Sequence, residues 1–333
     1  MSFGLFIGAS TQPAYAVNCD GLPTTMINGS PITQGTIEAG DYILIDNCII
    51  EGIFTISKGT VTINGDGFII DANGSYPVFI VSNGATLELN NVILLNGSAD
   101  SAGAILNEGT LTITNSAFIN NVSNSYGGAI FNMGVAFIYH TSFIGNYAQS
   151  GGGAIANQGT LTIIGSKFDG NSVGDGDLGG GAIFNYFDGT GTVYNSVFNN
   201  NSSASKGGAI VNVGRFSIAN SILSNNSAAN SGGAVYMDVS SRLRMFNNTL
   251  SANSANSGGA IYNNYGSIAL NDTNIIDNTS TDGNCSGSGF VYDNRNNVDD
   301  TNTCVASDNT TSNLVMVTRV NMVRMYLWLW LVQ

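Results

Sequence analysis

A four-residue motif of the type Gly-Gly-Ala-Ile recurs through most of the chain and constrains the fold more than any other feature. The alanine of the motif lies at Ala104, Ala129, Ala154, Ala182, Ala209, Ala234 and Ala260. A nearly constant period, here roughly 25–28 residues, is typical of a solenoid, in which each repeat packs on its neighbours.

A second motif, an apolar residue followed three places later by Asn, keeps the same period. The pairs are Phe118 and Asn121, Phe143 and Asn146, Phe168 and Asn171, Phe198 and Asn201, Leu223 and Asn226, Leu250 and Asn253, and Ile275 and Asn278. Ile93 and Asn96 form a weaker, earlier copy. The two motifs stay in phase, so one structural repeat explains both.

Each unit reads as three short strands. Residues 127–151 contain three apolar segments that alternate at period two and are separated by Gly or Asn. This alternation predicts strands, and Gly or Asn suits the left-handed turns between them. We therefore predict an all-β, single-stranded, right-handed parallel β-helix of about ten coils, with three strands per coil of about 25 residues.

Equivalent residues of successive coils are expected to stack inside this β-helix. The predicted alanine column contains Ala129, Ala154, Ala182 and Ala209, and the aromatic column contains Phe118, Phe143, Phe168 and Phe198. One asparagine column contains Asn121, Asn146, Asn171 and Asn201, and another runs from Asn107 to Asn263 with Met237 as its only break. Stacked amides can hydrogen-bond from coil to coil, so we interpret these asparagines as architectural.

Composition narrows the functional classes. The net charge is −13, and the 9 Lys and Arg residues form no basic cluster in the sequence. This pattern argues against binding to nucleic acid or to anionic lipid. Apolar residues still make up 43% of the chain, which is too many for a disordered protein.

Residues 1–16 resemble the back half of a secretory signal peptide, because an apolar run from Phe3 ends in Ala14-Tyr15-Ala16. A buried first strand is the alternative interpretation. Export would allow disulfides to form. The cysteines lie in two local pairs, which favours Cys19–Cys48 and Cys285–Cys304 over the other two connectivities.

The chain divides into five segments. They are the signal remnant (1–16), an N-terminal cap with the first coils (17–90), the repeats (91–283), a C-terminal disulfide loop or cap (284–313) and an atypical apolar tail (314–333). Arg319 and Arg324 interrupt the tail, which leaves too few apolar residues to span a bilayer. A truncated anchor, a capping strand and out-of-frame translation are the interpretations of the tail, and we favour the last.

The tetrads and the Phe-x-x-Asn pairs, as in Gly127–Ile130 and Phe143–Asn146, resemble the repeats of the polymorphic outer-membrane protein family of autotransported adhesins. They are similar to bacterial β-helix repeat proteins more broadly. The resemblance covers about residues 40–305. It implies an extracellular or outer-membrane β-helix that serves adhesion or surface display, closed by a cysteine pair such as Cys285 and Cys304.

Few residues offer chemistry. Asp175, Asp177 and Asp188 lie on two insertions of one coil and could ligate Ca²⁺, although a plain acidic loop is the simpler interpretation. Asp299 and Asp300, beside Cys304, form a second candidate. His140 is expected to be a solvated residue at the end of a strand. Basic companions would have to come from other coils, as Arg215, Arg242 or Arg244.

We therefore predict a protein that is not an enzyme and has no cofactor apart from the candidate Ca²⁺. The favoured function is an adhesin-like binding or display scaffold, a monomer, with contacts on the loops between an inward Asn and the next Gly-Gly. A host or matrix protein or a glycan is the expected partner, without nucleic acid and without membrane insertion of the repeats. A carbohydrate-active β-helix enzyme using the three aspartates and a purely structural spacer are the alternatives.

Overall fold

The computed structural model describes residues 15–17, 34–44, 47–50 and 52–304. Within these ranges the chain is all β, without a helix. Strands pair in parallel with their equivalents one coil away. This is the parallel β-helix that the repeats predict. None of the described residues belongs to a helix capable of crossing a membrane.

Three main sheets of 12, 11 and 11 strands form the faces of the β-helix. The broad sheet has 12 strands: Tyr15–Val17, Gly40–Leu44, Gly59–Asn64, Ala85–Asn90, Thr110–Thr114, Val135–Tyr139, Thr160–Ile164, Thr190–Tyr194, Arg215–Ala219, Arg242–Phe246, Ser267–Asn271 and Phe290–Arg295. The Phe sheet has 11: Cys48–Ile49, Ile69–Asp71, Ile93–Leu95, Ala117–Ile119, Ser142–Ile144, Lys167–Asp169, Val197–Asn199, Ile222–Ser224, Thr249–Ser251, Asn274–Ile276 and Val298–Asp299. The tetrad sheet also has 11: Gln34–Thr36, Ile53–Ile56, Phe79–Val81, Ile105–Asn107, Ile130–Asn132, Ile155–Asn157, Ile183–Asn185, Ile210–Asn212, Val235–Met237, Ile261–Asn263 and Cys285–Gly287.

A fourth, short sheet adds to the three strands per coil that the sequence predicts. Its strands have two residues each: Ser98–Ala99, Val122–Ser123, Tyr147–Ala148, Ser172–Val173, Ser202–Ser203 and Ser227–Ala228. These pairs are too short and too polar to show an apolar alternation. Their pairing follows from the coils on either side, which hold the backbones in register.

The aromatic column lies in the core of the β-helix. Phe118, Phe143, Phe168 and Phe198 are fully buried. Neighbouring rings stack with centroids 4.9, 4.7 and 4.6 Å apart and planes within 10° of parallel. The ring spacing matches the distance of about 4.8 Å between adjacent strands, so the backbone ladder itself sets the stacking.

The inward asparagines form continuous amide ladders. The Asn121 amide donates to Asn146 Oδ1 at 2.9 Å, and Asn146 donates in turn to Asn171 Oδ1 at the same distance. The second amide hydrogen of Asn146 reaches the Phe118 carbonyl at 3.0 Å, which gives this buried amide partners on both atoms. Such satisfaction is required because an unpaired buried amide is costly.

The alanine column and the second tetrad glycine bring the coils together. The Ala129 amide donates to the Ala154 carbonyl at 2.9 Å. A Cβ built on Gly128 would lie 2.0 Å from the carbonyl oxygen of Gly153. No side chain fits there, so the tetrad keeps glycine because adjacent backbones touch.

The two ends of the rod differ from the repeats. Strand Tyr15–Val17, which includes the end of the predicted signal remnant, pairs with Gly40–Leu44. Cys48 is disulfide-bonded, and Cys19, its predicted partner, lies outside the described residues. Cys285 and Cys304 form a disulfide with Cα atoms 4.8 Å apart. The segment predicted as a C-terminal cap contains one further coil before this bond closes, and the tail 314–333 lies outside the described residues.

Candidate binding surface

The motif residues themselves face inward. The tetrad alanines, the four stacked phenylalanines and the asparagines of the Phe-x-x-Asn pairs from Asn121 to Asn253 are buried. They determine the stacking of the coils and leave no atoms for a partner. Binding must therefore use residues that vary from coil to coil, at outward strand positions and in the turns.

The two insertions of one coil lie at opposite ends of the tetrad-sheet strand Ile183–Asn185. Asp175 and Asp177 come before this strand, and Asp188 comes after it. All three side chains are exposed, and the Gln149 amide donates to Asp175. No group of three or more His, Cys, Asp or Glu residues is arranged to hold a metal ion in the ranges that the structure describes. Calcium binding at these three aspartates stays a prediction.

His140 lies in the turn after strand Val135–Tyr139, with an exposed side chain and a φ of 48°. Equivalent turns hold Asn115, Gly165 and Asn220, all with positive φ. The imidazole therefore belongs to a column of turn residues.

Both insertions fold back onto the outer face of the tetrad sheet. The outward column of that sheet places the small Ala156 between Phe131 and Phe184. Tyr186 belongs to the second insertion. The centroid of its ring lies 6.0 Å from that of Phe131 and 4.6 Å from that of Phe184. Its ring therefore fills the gap that the missing side-chain volume at Ala156 leaves.

Leu178 of the first insertion packs against the same group of side chains on the outer face of the tetrad sheet. Burial, followed by the nearby Tyr126 phenol, raises the pKa of Tyr186 well above its ordinary value. Tyr186 and Leu178 thus pack against side chains of this chain. The neighbouring Phe187 side chain, in contrast, is 69% exposed.

Exposed apolar residues follow the turn between the tetrad sheet and the broad sheet. We call this row the corner strip, and its members are Met133, Phe187, Val239 and Tyr265. Their exposed fractions are 36%, 69%, 51% and 62%, although large apolar side chains are usually covered. Because the turns repeat along the rod, these residues of different coils form one row on one edge.

Three arginines lie beside the corner strip, on the outer face of the broad sheet. Arg215 and Arg242 are direct partners in neighbouring strands, and Arg244 lies two residues further along the same face. We call them the arginine triad. Strand spacing places Arg215 and Arg242 about 4.8 Å apart at their Cα atoms. Although the sequence contains no basic cluster, the folded chain brings these three arginines together.

The triad is electrostatically unbalanced. The outward positions of the five broad-sheet strands from Thr160–Ile164 to Ser267–Asn271 carry no Asp or Glu. None of the three arginines forms an ion pair with any residue that the structure describes, whereas Lys167 pairs with Asp169 at 2.8 Å. The outer face of these strands thus presents three arginines without a carboxylate on the same strands, whereas Asp188 and Asp238 lie in the adjoining turns.

A family model for the Chlamydia polymorphic membrane protein repeat matches residues 115–133, 140–158, 195–213 and 220–238. Each match runs from one Phe-sheet strand through the tetrad to the next turn. The chain is a parallel β-helix that contains repeats of the polymorphic membrane protein type. That family consists of outer-membrane and surface proteins. No curated protein and no solved structure matches the chain.

The matched repeats of this polymorphic membrane protein type include neither the coil with the insertions nor the coils of Ala104 and Ala260. The insertions break the repeat spacing, since Asn171 and Asn201 of successive Phe-x-x-Asn pairs are 30 positions apart. Sequence reasoning identified the two insertions of this coil. It named the three arginines only as basic companions from other coils and did not predict that they lie side by side, because they are distant in sequence and only their common position in the repeat reveals the cluster.

Proposed function

We propose that this chain is an adhesin-like rod on the bacterial surface and that it binds an acidic protein or glycan through the arginine triad and the corner strip. The observation that carries the proposal is the joint exposure of arginine and large apolar side chains on one edge of the rod. Arginine, tyrosine, phenylalanine and methionine are the residues enriched in protein interfaces. The proposed contacts therefore lie on a different turn of the coil from the loops before Gly-Gly that the sequence predicts.

The geometry supports recognition of acidic groups in particular. A guanidinium binds carboxylate or sulfate through two parallel hydrogen bonds, and three of them in a small area favour a partner with several such groups. The apolar corner strip alongside would contribute burial of nonpolar surface. The separated positions of Asp175, Asp177 and Asp188 give no comparable support to a carbohydrate-active enzyme.

The test compares two triple variants of equal charge. One variant replaces Arg215, Arg242 and Arg244 by Ser. The control replaces Lys58, Lys167 and Lys206, which lie elsewhere on the rod, by Ser as well. Wild-type protein is first applied to arrays of cell-surface proteins and of sulfated and carboxylated glycans, and the best partner is then titrated. We expect the arginine variant to lose affinity by at least about tenfold and the control to change by less than about threefold.

Two results would contradict the proposal. The first is that wild-type protein binds nothing on either array, which leaves a structural spacer. The second is an equal loss in the lysine control, which would reduce the effect to net charge. Weakening of wild-type binding by added salt is expected in addition, because exposed charges are screened.

A further inference from the structure

The last coil departs from the alanine column. The Ala260 and Ile261 amides donate to the Asn284 carbonyl at 2.8 and 2.9 Å, which places Asn284 where the earlier coils carry alanine. Its side chain is fully buried. A polar amide therefore lies at the C-terminal end of an otherwise apolar column.

Three oxygen atoms converge on the Asn284 side-chain nitrogen. Nδ2 lies 2.6 Å from Asp299 Oδ1, 2.6 Å from Asp300 Oδ1 and 2.9 Å from the carbonyl oxygen of Ile275. An amide nitrogen carries only two hydrogens, so it cannot donate to all three oxygens fully. The two carboxylates thus share the Asn284 amide, and Asp299 Oδ1 also accepts the Thr301 amide and hydroxyl at 3.1 and 2.9 Å.

The other atom of the same amide is unpartnered. Asn284 Oδ1 is buried and accepts no hydrogen bond, which is a costly state for a buried polar atom. Nitrogen and oxygen of an asparagine amide have nearly the same shape and exchange places when the amide makes a half-turn. After that half-turn, Oδ1 joins the two carboxylate oxygens and the Ile275 carbonyl oxygen.

We propose that this end of the rod binds a calcium ion through Asp299, Asp300, Asn284 and the Ile275 carbonyl. Calcium prefers oxygen ligands of these kinds and tolerates irregular geometry, with water completing its six to eight ligands. Magnesium requires a stricter octahedron, so it is expected to bind more weakly here. With the amide turned, the cation would lie between the two carboxylates and would give Asn284 Oδ1 a partner.

The consequence is a metal-dependent closure of the C-terminal end. Asp299 already accepts the Cys304 amide at 2.6 Å, and Asp300 accepts the Asp277 amide at 2.7 Å. A cation at this point would link the closing loop, its disulfide and the last two coils. Solenoids need such caps because their terminal strands otherwise present unpaired edges.

Isothermal titration with calcium chloride tests the site on the full chain. We expect one site with a dissociation constant of about 10⁻⁴ to 10⁻³ M, typical of extracellular calcium sites, and weaker binding of magnesium chloride. The double variant Asp299→Asn with Asp300→Asn is expected to lose this heat. The control, Asp175→Asn with Asp177→Asn, removes two exposed carboxylates from an insertion and is expected to retain it.

Amide hydrogen exchange keeps the test independent of how the variants fold. In wild-type protein, calcium is expected to slow exchange at residues 284–304 and to leave residues 115–158 unchanged. Absence of heat and of added protection would overturn the proposal and leave a hydrogen-bonded polar plug. Heat that survives in the Asp299 and Asp300 variant but disappears in the control would also overturn it, and would move calcium to the insertion.

Discussion

At the residue scale, the repeat motif keeps glycine where a side chain would overlap the backbone of the next coil. A Cβ on the second tetrad glycine would lie 2.0–2.1 Å from the next coil's carbonyl oxygen at Gly103, Gly128, Gly153, Gly181, Gly208 and Gly233. Backbone cannot move away without breaking the ladder that holds the coils. Gly170 does not share this constraint, which allows the idea to be tested by comparison.

We expect Gly128→Ala to destabilise the rod by about 3 kcal/mol, since the new methyl group overlaps the neighbouring backbone. The matched control is Gly170→Asn. Gly170 has a φ of +65° and no atom within 4 Å of a built Cβ, and Asn120 and Asn200 occupy the equivalent turn. Thermal unfolding followed by circular dichroism measures both variants. Equal effects would show that coil contact is not the reason for the tetrad glycine.

Also at this scale, the sequence could predict residues whose role is repeated and could not predict single exceptions. The Phe and Asn columns were readable because one side-chain type recurs at one position. Asn284 was not, although it follows Ala260 by one repeat period, because Asn does not resemble the alanine that it replaces. Its placement depends on the backbone register.

At the element scale, neighbouring strands of successive coils combine a small and a large side chain at the same inward position. Gly191 and Phe216 are direct partners on the inward face of the broad sheet. A Cβ on Gly191 would lie 2.0 Å from the Phe216 ring, which therefore occupies the volume that Gly191 leaves. Other strands carry Leu161 and Leu243 at this position, so two leucines could replace the unequal pair.

We expect Gly191→Leu alone to destabilise the protein by several kcal/mol through overlap with the ring, and Phe216→Leu alone by about 1–2 kcal/mol through a cavity. The double variant is expected to recover to within about 1 kcal/mol of wild type, because neighbouring sites couple. Chemical denaturation of the four proteins measures the coupling. Simple addition of the two single effects would contradict the packing that we describe.

The same scale explains the elements that sequence reasoning missed. The short sheet consists of two-residue strands, which carry no periodic signal. The filling of the Ala156 gap by Tyr186 depends on contact between residues that are distant in sequence and belong to different coils. Strand pairing reveals both, whereas composition and periodicity do not.

At the scale of the whole molecule, stacking identical coils separates architecture from recognition. The interior repeats residue types and holds the shape, while the outward positions vary freely and can collect distant residues. Arg215, Arg242 and Arg244 illustrate this, since the fold brings a residue of one coil next to two residues of the following coil. A rod of this kind can therefore change partners without changing its core.

Distances between spin labels along the broad sheet test the stacked-coil account most directly. One label is placed at Thr112. A second label at Ser217 lies four strands away, and we expect about 19 Å between the two labelled Cα atoms. A second label at Ala269 lies six strands away, and we expect about 29 Å. Double electron–electron resonance measures these separations, with Arg244 as the intermediate point at about 24 Å. Distances that fail to grow by about 4.8 Å per coil would contradict the parallel β-helix and everything derived from it.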